Sequence, residues 1–495
     1  MLELLTCAEM AAADGRTIAS GTPGILLMER AGQAVAERVL VGVAGPQRIA
    51  VLCGPGNNGG DGFVVARLLA AAGHDVAVHA LVPTDRLTGD AAEAARSWAG
   101  GVLPLAGWRA DGVDIVVDAI FGAGLARDIA APLDAVIAAV NAGRAHVVAV
   151  DVPSGIDGDT GAVRGCAVRA DETVTFARRK PGHLLLPGRE YCGRIHVADI
   201  GITDETVAEL DVRTAANVPG LWRNELPRPD VSGHKYTRGH LVVASGGPAR
   251  TGAARLAARA GLRAGAGLVT VASPPAAVAV NAAQLTAVMV RAVDGAEELA
   301  DLLTDGRFST LVLGPALGIG EKTRRMVEVA AAARRHLVLD ADALTAFSGN
   351  LAGLWQVVTS AAPAGIVLTP HEGEFSRLFG EAEGVAQARS KLERARAAAA
   401  ASGAVVVLKG ADTVIAAPDG RAAINENAPP WLATAGTGDV LAGIVGGLMA
   451  QEMPAFAAAC AGVWMHGAAA TAFGPGLIAE DLPEMLPRVW RTLLD

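Results

Sequence analysis

The sequence is poor in cysteine, lysine and aromatic residues. Its 495 residues include five cysteines and 4% aromatic side chains. The cysteines are scattered and form no C-x-x-C pair, which argues against a disulfide framework or a zinc site and is typical of reduced, cytosolic thiols. Arginine replaces lysine almost everywhere, so a retained lysine suggests a need for its compact ammonium group. The five lysines are Lys180, Lys235, Lys322, Lys391 and Lys409.

Long apolar runs and basic stripes are also missing. The hydrophobic fraction is 51%, but much of it is alanine, and no stretch offers the ~20 residues free of Gly, Pro and charge that a membrane-spanning helix needs. The acidic N-terminus lacks the basic start of a signal peptide. A net charge of −9 argues against nucleic acid and anionic membrane as partners. We therefore expect a soluble, cytoplasmic protein, and a homo-oligomer because α/β domains often assemble.

The first part of the chain alternates short apolar runs with helical patterns. This rhythm predicts a Rossmann-like, doubly wound parallel sheet between helices, in an α/β fold. Thr6 and Glu9 form a capping-box pattern, so helices are expected ahead of the sheet. The predicted strands are 48–54, 75–82, 114–120, 146–152, 171–177 and 194–200, and the predicted helices are 60–72, 84–99 and 132–143.

The chain is too long for one ordinary core, so two domains are expected. Residues 216–235 are rich in Pro and Gly and lack periodicity, which predicts a linker between a domain at 1–215 and a second at 236–495. The second domain repeats the α/β alternation with different motifs. Its predicted strands are 240–245, 268–273, 310–315, 336–340, 365–369 and 405–409, and its final helices are 437–450, 454–473 and 480–493.

The first candidate site is the loop 54–62, which follows the first strand and opens a helix. It satisfies G-x-G-x-x-G, a weak sign of dinucleotide binding when it stands alone. A simple dehydrogenase also needs an acidic residue after the second strand, and residues 79–83 contain none. Asn57, Asn58 and Asp61 would in addition crowd a pyrophosphate. These observations argue against a simple dehydrogenase.

Two further strand ends carry polar residues that should converge on the same crevice. Asn58, Asp118 and Ser154 offer oxygen ligands without sulfur or imidazole, the donor type that a hard cation prefers. Asp151 remains as a carboxylate available for proton transfer. The alternative for any one of these residues is a simple turn at a strand end.

The second candidate site is the turn 434–443, which runs directly into a helix. Its backbone amides and the helix dipole form an anion site. Asp439 is interpreted as a base that deprotonates a hydroxyl facing a phosphate, and the alternative is a first-turn acid that complements the dipole. Lys409 ends a neighbouring strand. His371 alone would be a structural histidine, and His466 is assigned to the core.

The first half resembles the NAD(P)H-hydrate epimerases through the motifs at 24–32, 56–62, 118–124, 151–155 and 176–182. The resemblance covers residues 1–215 and implies a potassium ion bound by Asn58, Asp118 and Ser154. It implies catalysis by Asp151, while Lys180 is either an electrostatic aid or a surface lysine. The implied contacts to the hydrated nucleotide are Asn57, Asn58, Gly59, Gly60, Asp61, Gly122, Ala123, Gly124, Leu125, Ala126, Arg127, Asp128 and Asp151.

The second half resembles the ADP/ATP-dependent NAD(P)H-hydrate dehydratases, a branch of the ribokinase-like fold, over about residues 225–495. The motifs that carry it are 246–254, 339–344, 368–375, 407–413 and 434–443. The resemblance implies Asp439 as the base, and it departs at Ala316, where the family usually has glycine. The implied nucleotide contacts are Lys409, Gly410, Ala411, Asp412, Thr413 and Gly438, and the implied substrate contacts are Ala253, Gly318, His371 and Asp439.

Together these resemblances imply a repair enzyme for NADH hydrate and NADPH hydrate. The first domain would interconvert the R and S forms, and the second would dehydrate the S form with ADP, releasing AMP and phosphate. Magnesium is the expected phosphate partner, and ADP is expected because a fused chain of this kind looks bacterial. One alternative is a vitamin-type kinase for small alcohols fused to a non-catalytic nucleotide-binding domain. The other is a first domain that only binds, as a nucleotide sensor or an interaction module.

Overall fold

The computed structural model describes residues 2–494 and divides them into two compact units, Glu3–Thr214 and the chain from Ala215 onward. Seven helices belong to the first unit: α1 Cys7–Ala19, α2 Gly24–Leu40, α3 Asn57–Ala71, α4 Gly89–Arg96, α5 Leu133–Ala142, α6 Gly188–Tyr191 and α7 Asp204–Ala208. Its strands are β1 Arg48–Cys53, β2 Asp75–Ala80, β3 Val102–Pro104, β4 Ile115–Ala119, β5 His146–Val150, β6 Glu172–Phe176 and β7 Arg194–Ala198.

The sheet of the first unit is parallel throughout, with the strand order β3-β2-β1-β4-β5-β6-β7. The order reverses direction between β1 and β4, which is the topological switch point where ligands bind in doubly wound folds. The Rossmann-like prediction is confirmed. The central strands β1, β4, β5 and β6 are almost entirely buried, as expected for a parallel sheet covered on both faces.

Local sequence signals explain where the first helices begin. The Thr6 hydroxyl accepts from the Glu9 N–H at 3.2 Å and the Glu9 carboxylate accepts from the Thr6 N–H at 2.7 Å, so the predicted capping box is present. The helix predicted over 84–99 is shorter, because Gly89 adopts a φ of +59° and α4 begins only there. Residues 84–86 form a single 3₁₀ turn instead.

The second unit carries the remaining helices and strands. Its helices are α8 Gly252–Arg263, α9 Pro275–Gln284, α10 Ala296–Leu303, α11 Glu321–Ala332, α12 Asp342–Thr345, α13 Leu351–Ala361, α14 Glu372–Phe379, α15 Lys391–Ser402, α16 Thr437–Ala450, α17 Ala455–Phe473 and α18 Asp481–Leu494. The strands of its sheet are β8 Thr214–Ala216, β9 His240–Ala244, β10 Leu268–Ser273, β11 Met289–Ala292, β12 Thr310–Leu313, β13 His336–Leu339, β14 Ile366–Leu368, β15 Val405–Leu408, β16 Val414–Ala416 and β17 Ala422–Ile424.

The ten strands of the second sheet follow the order β11-β10-β9-β12-β13-β14-β15-β16-β17-β8. The run from β11 to β15 is parallel, and β16 and β17 add an antiparallel edge. The carboxyl ends of the parallel strands therefore share one edge of the sheet. The ribokinase-like α/β prediction holds for this unit.

Two apolar helices form much of the core of the second unit. In α16 every residue from Val440 to Ala450 is buried. Among residues 2–494, α17 is the one helix long and apolar enough by composition to cross a membrane. Most of its residues are buried against the same core, which includes Cys460 and Met465. Burial of this kind is what a core helix of a folded unit shows.

The segment predicted as a linker, 216–235, has two different parts. Trp222 is 1% exposed and lies in the core of the second unit with Leu226. The side chain of Asn217 donates to Asn425 and to the Cys460 carbonyl, both at 2.9 Å. Residues 228–238 are almost all exposed and contain neither helix nor strand. The early part of the segment is thus packed, and the later part is a surface connection.

Candidate functional sites

A cavity of about 620 Å³ lies in the first unit at the switch point of its sheet. It is lined by residues that follow three strands: the first turn of α3 after β1, the loop after β4, and Asp151 after β5. Helices α1 and α2 contribute apolar side chains, including Met10, Leu27 and Met28. The predicted convergence of strand ends therefore produces a real concave site, with a polar floor and an apolar wall.

The buried ion pair between Asp151 and Lys180 dominates the floor of this cavity. Lys180 is 2% exposed, and its ammonium donates to one Asp151 oxygen and to the Thr175 hydroxyl at 2.9 Å. Thr175 donates to the same carboxylate at 3.0 Å, and the Ala123 N–H donates to its other oxygen at 3.1 Å. Lys180 is therefore not a surface residue, which answers the question the sequence left open.

These contacts fix the ionisation of Asp151. Burial alone would raise the pKa of this carboxyl, but the charge and hydrogen bond of Lys180 outweigh burial, so the pKa is lowered. His183 accepts from the Lys180 N–H through Nδ1, so its Nε2 carries the proton and donates to the Asp151 carbonyl at 2.9 Å. Burial first, and then Lys180, lower the pKa of His183 to about 4, so this imidazole is neutral.

Asp14, Asp61 and Asp90 also line the cavity, and Asp14 belongs to none of the sequence motifs. Asp61 is 8% exposed, and within residues 2–494 neither Asp14 nor Asp61 has a side-chain hydrogen-bonding partner. Burial raises the pKa of Asp14 to about 6. Burial also raises the pKa of Asp61 well above its ordinary value, and the charges of Asp151 and Asp14 add to this effect. The cavity thus holds protonated and ionised carboxyl groups together.

Of the predicted cation ligands, Asp118 and Ser154 contact each other, while Asn58 lines the cavity. Asp118 is fully buried and accepts from the Ser154 hydroxyl at 2.6 Å and the Ser154 N–H at 2.7 Å. Oriented to satisfy both its groups, the Asn58 amide donates to Val150 at 3.1 Å and accepts from Gly122 at 3.2 Å. Burial raises the pKa of Asp118 to about 6, since no basic side chain of the described chain offsets it. A buried, uncompensated carboxylate among oxygen donors fits a cation of single charge.

Other predicted residues of the first site divide into two groups. Asn57 and residues 122–127 line the cavity beside Asn58 and Asp61, while Asp128 does not. Gly59 and Gly60 are packing positions: a β-carbon on Gly59 would lie 2.0 Å from the Gly54 carbonyl, and one on Gly60 would meet Met28 at 2.6 Å. The glycines that give the loop its fingerprint therefore bring α3 close to its neighbours.

The second candidate site is the start of α16. Gly436 precedes the helix with a φ of +88°, a left-handed conformation that favours glycine, and no side chain caps the helix. The Thr437 hydroxyl donates back to the carbonyls of Leu432 and Thr434, both at 3.1 Å. The first amides of a largely buried helix are thus open to an anion, as the predicted phosphate site requires.

Asp439 lies in the first turn of α16 with no hydrogen bond to any described residue. Burial and the nearby Asp340 raise its pKa to about 6, while Lys409 acts to lower it. The ammonium of Lys409 donates to Asp340 at 2.8 Å, and a β-carbon built on Gly438 would lie 3.5 Å from that ammonium. A free carboxylate, a lysine and a helix N-terminus therefore meet at one place.

The other predicted residues of the second site make contacts of different kinds. Asp412 is paired with Lys391 at 2.7 Å, and Thr413 is bonded to Gly410, so these side chains fix the loop after β15. His371 caps α14, accepting from the N–H groups of residues 373 and 374 through Nδ1. Ala253 is half-buried in the first turn of α8, and His466 is buried as predicted.

The loop after β12 has two left-handed residues, Ala316 (φ +61°) and Gly318 (φ +88°). Gly318 has open space where a side chain would stand, and its N–H donates to Asp342 at 2.8 Å. Ala316 stands where the dehydratase family that this half resembles usually has glycine. A left-handed alanine costs roughly 1–2 kcal/mol, so the backbone keeps the conformation that glycine would adopt more readily.

Both units of the chain match known proteins. A family model described as "YjeF-related protein N-terminus" matches residues 25–182, and one described as "NAD(P)H-hydrate dehydratase" matches residues 241–487. The chain is 38% identical to the bifunctional NAD(P)H-hydrate repair enzyme Nnr of Moorella thermoacetica, covering 99% of this chain and 97% of that protein. Identity to the Escherichia coli protein of the same name is 36%, covering 94% and 89%.

Among solved structures, the ADP/ATP-dependent NAD(P)H-hydrate dehydratase of Bacillus subtilis, co-crystallised with ATP and Mg²⁺, is 29% identical. It covers 56% of this chain and 98% of its own length, with a TM-score of 0.49.

Two α/β units, each with carboxyl groups beside the carboxyl ends of its parallel strands, define a two-unit α/β enzyme. With near-complete coverage by its relatives, the chain belongs to the family of bifunctional NAD(P)H-hydrate repair enzymes. Its N-terminal unit is the epimerase and its C-terminal unit the dehydratase. The alternative of a small-alcohol kinase fused to a binding module is less well supported.

Proposed function

We propose that the cavity beside Asp151 is the epimerase site and that the start of α16 is the dehydratase site. In the first site, the nicotinamide ring of NADH hydrate or NADPH hydrate would lie over Asp151, with residues 57–61 and 122–128 along the dinucleotide. The observation that supports this placement is the ion pair with Lys180, which keeps Asp151 ionised and facing the cavity. An ionised carboxylate held in place can accept a proton from the hydrate.

Potassium is the proposed cation beneath this site, held by Asn58, Asp118 and Ser154. When bound, it would supply the positive charge that the buried Asp118 carboxylate needs. The Ser154 hydroxyl also accepts from the Phe121 N–H at 2.8 Å. The cation ligands are thereby connected to the loop after β4, which lines the cavity, so their role in this proposal is to order that loop.

In the second site, Asp439 would remove the proton from the hydrate hydroxyl, and that oxygen would attack the terminal phosphate of ADP. The open amides of α16 and the ammonium of Lys409 would stabilise the charge on the transferred phosphoryl group. Phosphate is a better leaving group than hydroxide near neutral pH. Its elimination, with loss of a proton from the adjacent carbon, forms the conjugated dihydropyridine and leaves AMP and inorganic phosphate.

The nucleotide would be held by residues 409–413 and Gly438, and the hydrate by Ala253, Gly318, His371 and Asp439. Magnesium would neutralise the phosphate oxygens. Within residues 2–494 no group of three or more His, Cys, Asp or Glu side chains is placed to hold a metal, which suits an ion bound mainly by phosphates and water. A cytoplasmic location and a homo-oligomeric state belong to the same proposal.

The test is the return of the near-ultraviolet absorbance of NADH from a mixed pool of R and S hydrate, with ADP, magnesium and potassium. The unmodified chain should recover nearly the whole pool. Asp151→Asn should recover only the S fraction, and Asp439→Asn should recover none. ATP in place of ADP, and sodium in place of potassium, test the two finer assignments.

Each outcome separates one part of the proposal from the rest. Recovery of the whole pool by Asp151→Asn would remove catalysis from the first site and favour a domain that only binds. No recovery with either nucleotide would overturn the residue assignments of the second site. Formation of a stable phosphorylated product without NADH would favour the kinase alternative.

A further inference from the structure

Asp61 is the most buried carboxyl group that faces the first cavity without a partner. It lies in α3, is 8% exposed and accepts no hydrogen bond from any described residue. A buried carboxylate normally has a cation or several donors, because desolvation of an isolated charge is costly. Asp151 differs in this respect, because it accepts hydrogen bonds from Lys180, Thr175 and the Ala123 N–H.

Asp61 and Asp151 line the same cavity, which has a volume of about 620 Å³. Asp61 belongs to the helix that follows β1, and Asp151 follows β5, with β4 between the two strands. Strands two positions apart in a sheet are separated by about 9–10 Å, so the two carboxyl groups reach the cavity from different elements. Gly122, after β4, packs closely against Asn58 and Asp151, since a β-carbon there would lie 2.8 Å from the Asn58 amide oxygen and 3.1 Å from the Asp151 carboxylate.

We propose that Asp61 is a second catalytic residue of the epimerase, acting as the general acid opposite Asp151, and that each epimerisation exchanges the substrate hydroxyl for a solvent water. The inference rests on the proposed function of this cavity. Burial, with the charges of Asp151 and Asp14, raises the pKa of Asp61 and so favours the protonated form that the role requires. When the environments of two titratable groups give them different pKa values, one commonly acts as the acid and the other as the base.

The proposed reaction is balanced in protons and electrons. Asp61 gives its proton to the hydroxyl on the hydrated carbon, the C–O bond breaks, and water leaves. The ring nitrogen donates its lone pair to form a C=N bond and becomes an iminium cation. A solvent water then adds to the opposite face, its oxygen forms the new C–O bond, and Asp151 takes its proton. The C=N electron pair returns to nitrogen, and proton exchange with solvent restores both carboxyl groups.

The charges around the cavity favour this route over opening of the ring to an aldehyde. Asp14, Asp90 and Asp151 line it, against Lys180 and Arg127, and Asp61 becomes a carboxylate when it gives its proton to the leaving hydroxyl. An acidic cavity stabilises a cationic intermediate, whereas ring opening passes through no full positive charge. The arrangement is that of an inverting glycoside hydrolase, in which one carboxylic acid protonates the leaving oxygen and a second carboxylate activates water on the other face.

The experiment follows the purified R hydrate in water labelled with oxygen-18, with potassium but without nucleotide, so that the second site is idle. The S hydrate formed should carry one solvent oxygen per molecule in the first turnover, after subtraction of exchange without enzyme. Enzyme-dependent epimerisation that retains the original oxygen would overturn the exchange mechanism. Absence of any epimerisation would instead overturn the proposed function, so the two failures are distinguishable.

The variants Asp61→Asn and Asp14→Asn form a matched pair, since both remove a carboxyl group from the same cavity. Asp61→Asn should slow epimerisation by about 10²–10⁴-fold, the usual contribution of a general acid. Asp14→Asn should slow it less than tenfold and keep the labelling. Equal losses in the two variants would overturn the assignment of Asp61. Circular dichroism and thermal unfolding of each variant report whether its first unit is folded, and the labelling of the unmodified chain does not depend on either variant.

Discussion

The surroundings of Asp439 bring the pKa of its carboxyl group close to neutral pH. Burial, followed by the charge of Asp340, raises its pKa to about 6, although Lys409 lies nearby and opposes the shift. A base with such a pKa is ionised at neutral pH and still accepts protons efficiently. The residue is therefore suited to deprotonating a hydroxyl, and the same shift makes its activity sensitive to mild acid.

We expect the dehydratase kcat/KM to fall as the pH drops through about 6, by about tenfold for each further unit, because protonated Asp439 cannot act as a base. The measurement is NADH formation from S hydrate at saturating ADP across mildly acidic to neutral pH. Asp439→Glu should retain an acid limb with a changed midpoint. A profile that is flat down to about pH 5 would remove Asp439 from the role of base.

The sequence indicated the carboxyl groups at strand ends and at a helix start, but not the charged residues whose role depends on burial. Asp151, Asp118 and Asp439 follow strands or begin a helix, and such positions can be recognised in a sequence. Lys180 could not be assigned, because it follows two arginines and looks like a surface residue until its burial is known. Asp14 was missed for a related reason: it lies in an alanine-rich helix, and only tertiary packing turns it toward the cavity.

At the level of elements, α16 and α8 approach each other through glycine. A β-carbon on Gly443 would lie 2.1 Å from the Ala257 carbonyl, and one on Gly447 would lie 2.5 Å from the Gly261 carbonyl. These contacts involve backbone, so a side chain could be accommodated only by moving a helix. Because α16 also carries Asp439, its packing sets the position of the second site.

Gly443→Ala should lower the free energy of unfolding of the second unit by about 1–3 kcal/mol or more, the cost of overpacking a close contact. Gly252→Ala in α8 is the control, because a methyl there meets nothing within 4 Å, and it should change stability by less than about 1 kcal/mol. Chemical denaturation followed by tryptophan fluorescence measures both. Equal stability of the two variants would contradict the close packing of these helices.

Long, periodic elements were predicted well, and short ones were not. The helix predicted at 437–450 coincides with α16, and the buried strands of both sheets lie within their predicted ranges. The strands β3, β8, β11, β16 and β17 were missed. They contain three or four residues each, too few for a hydrophobic period to develop, and they form only through pairing with a neighbour.

For the whole molecule, the exposed segment 228–238 is the expected site of first proteolysis. Trypsin should cut after Lys235 or Arg238 before it cuts after the other lysines and arginines of the chain. The two fragments should nevertheless elute together in native size exclusion and separate in denaturant, because Trp222 and Leu226 stay packed in the second unit. Substitution of both sites, Lys235→Gln with Arg238→Gln, should suppress the early cut. Immediate separation of the fragments in native buffer would contradict this packing.

The buried position of Trp222 limits how such a chain could be divided between two genes. A gene for the second half that began at the surface segment would lack a strand of its sheet and a large side chain of its core, both encoded upstream. A cut just ahead of β8 would keep that strand and Trp222 in the second product, which would lack only Leu2 of its unit. Fission or fusion of the two activities is therefore expected to occur ahead of the apparent linker, where exchange of coding sequence leaves the core around Trp222 intact.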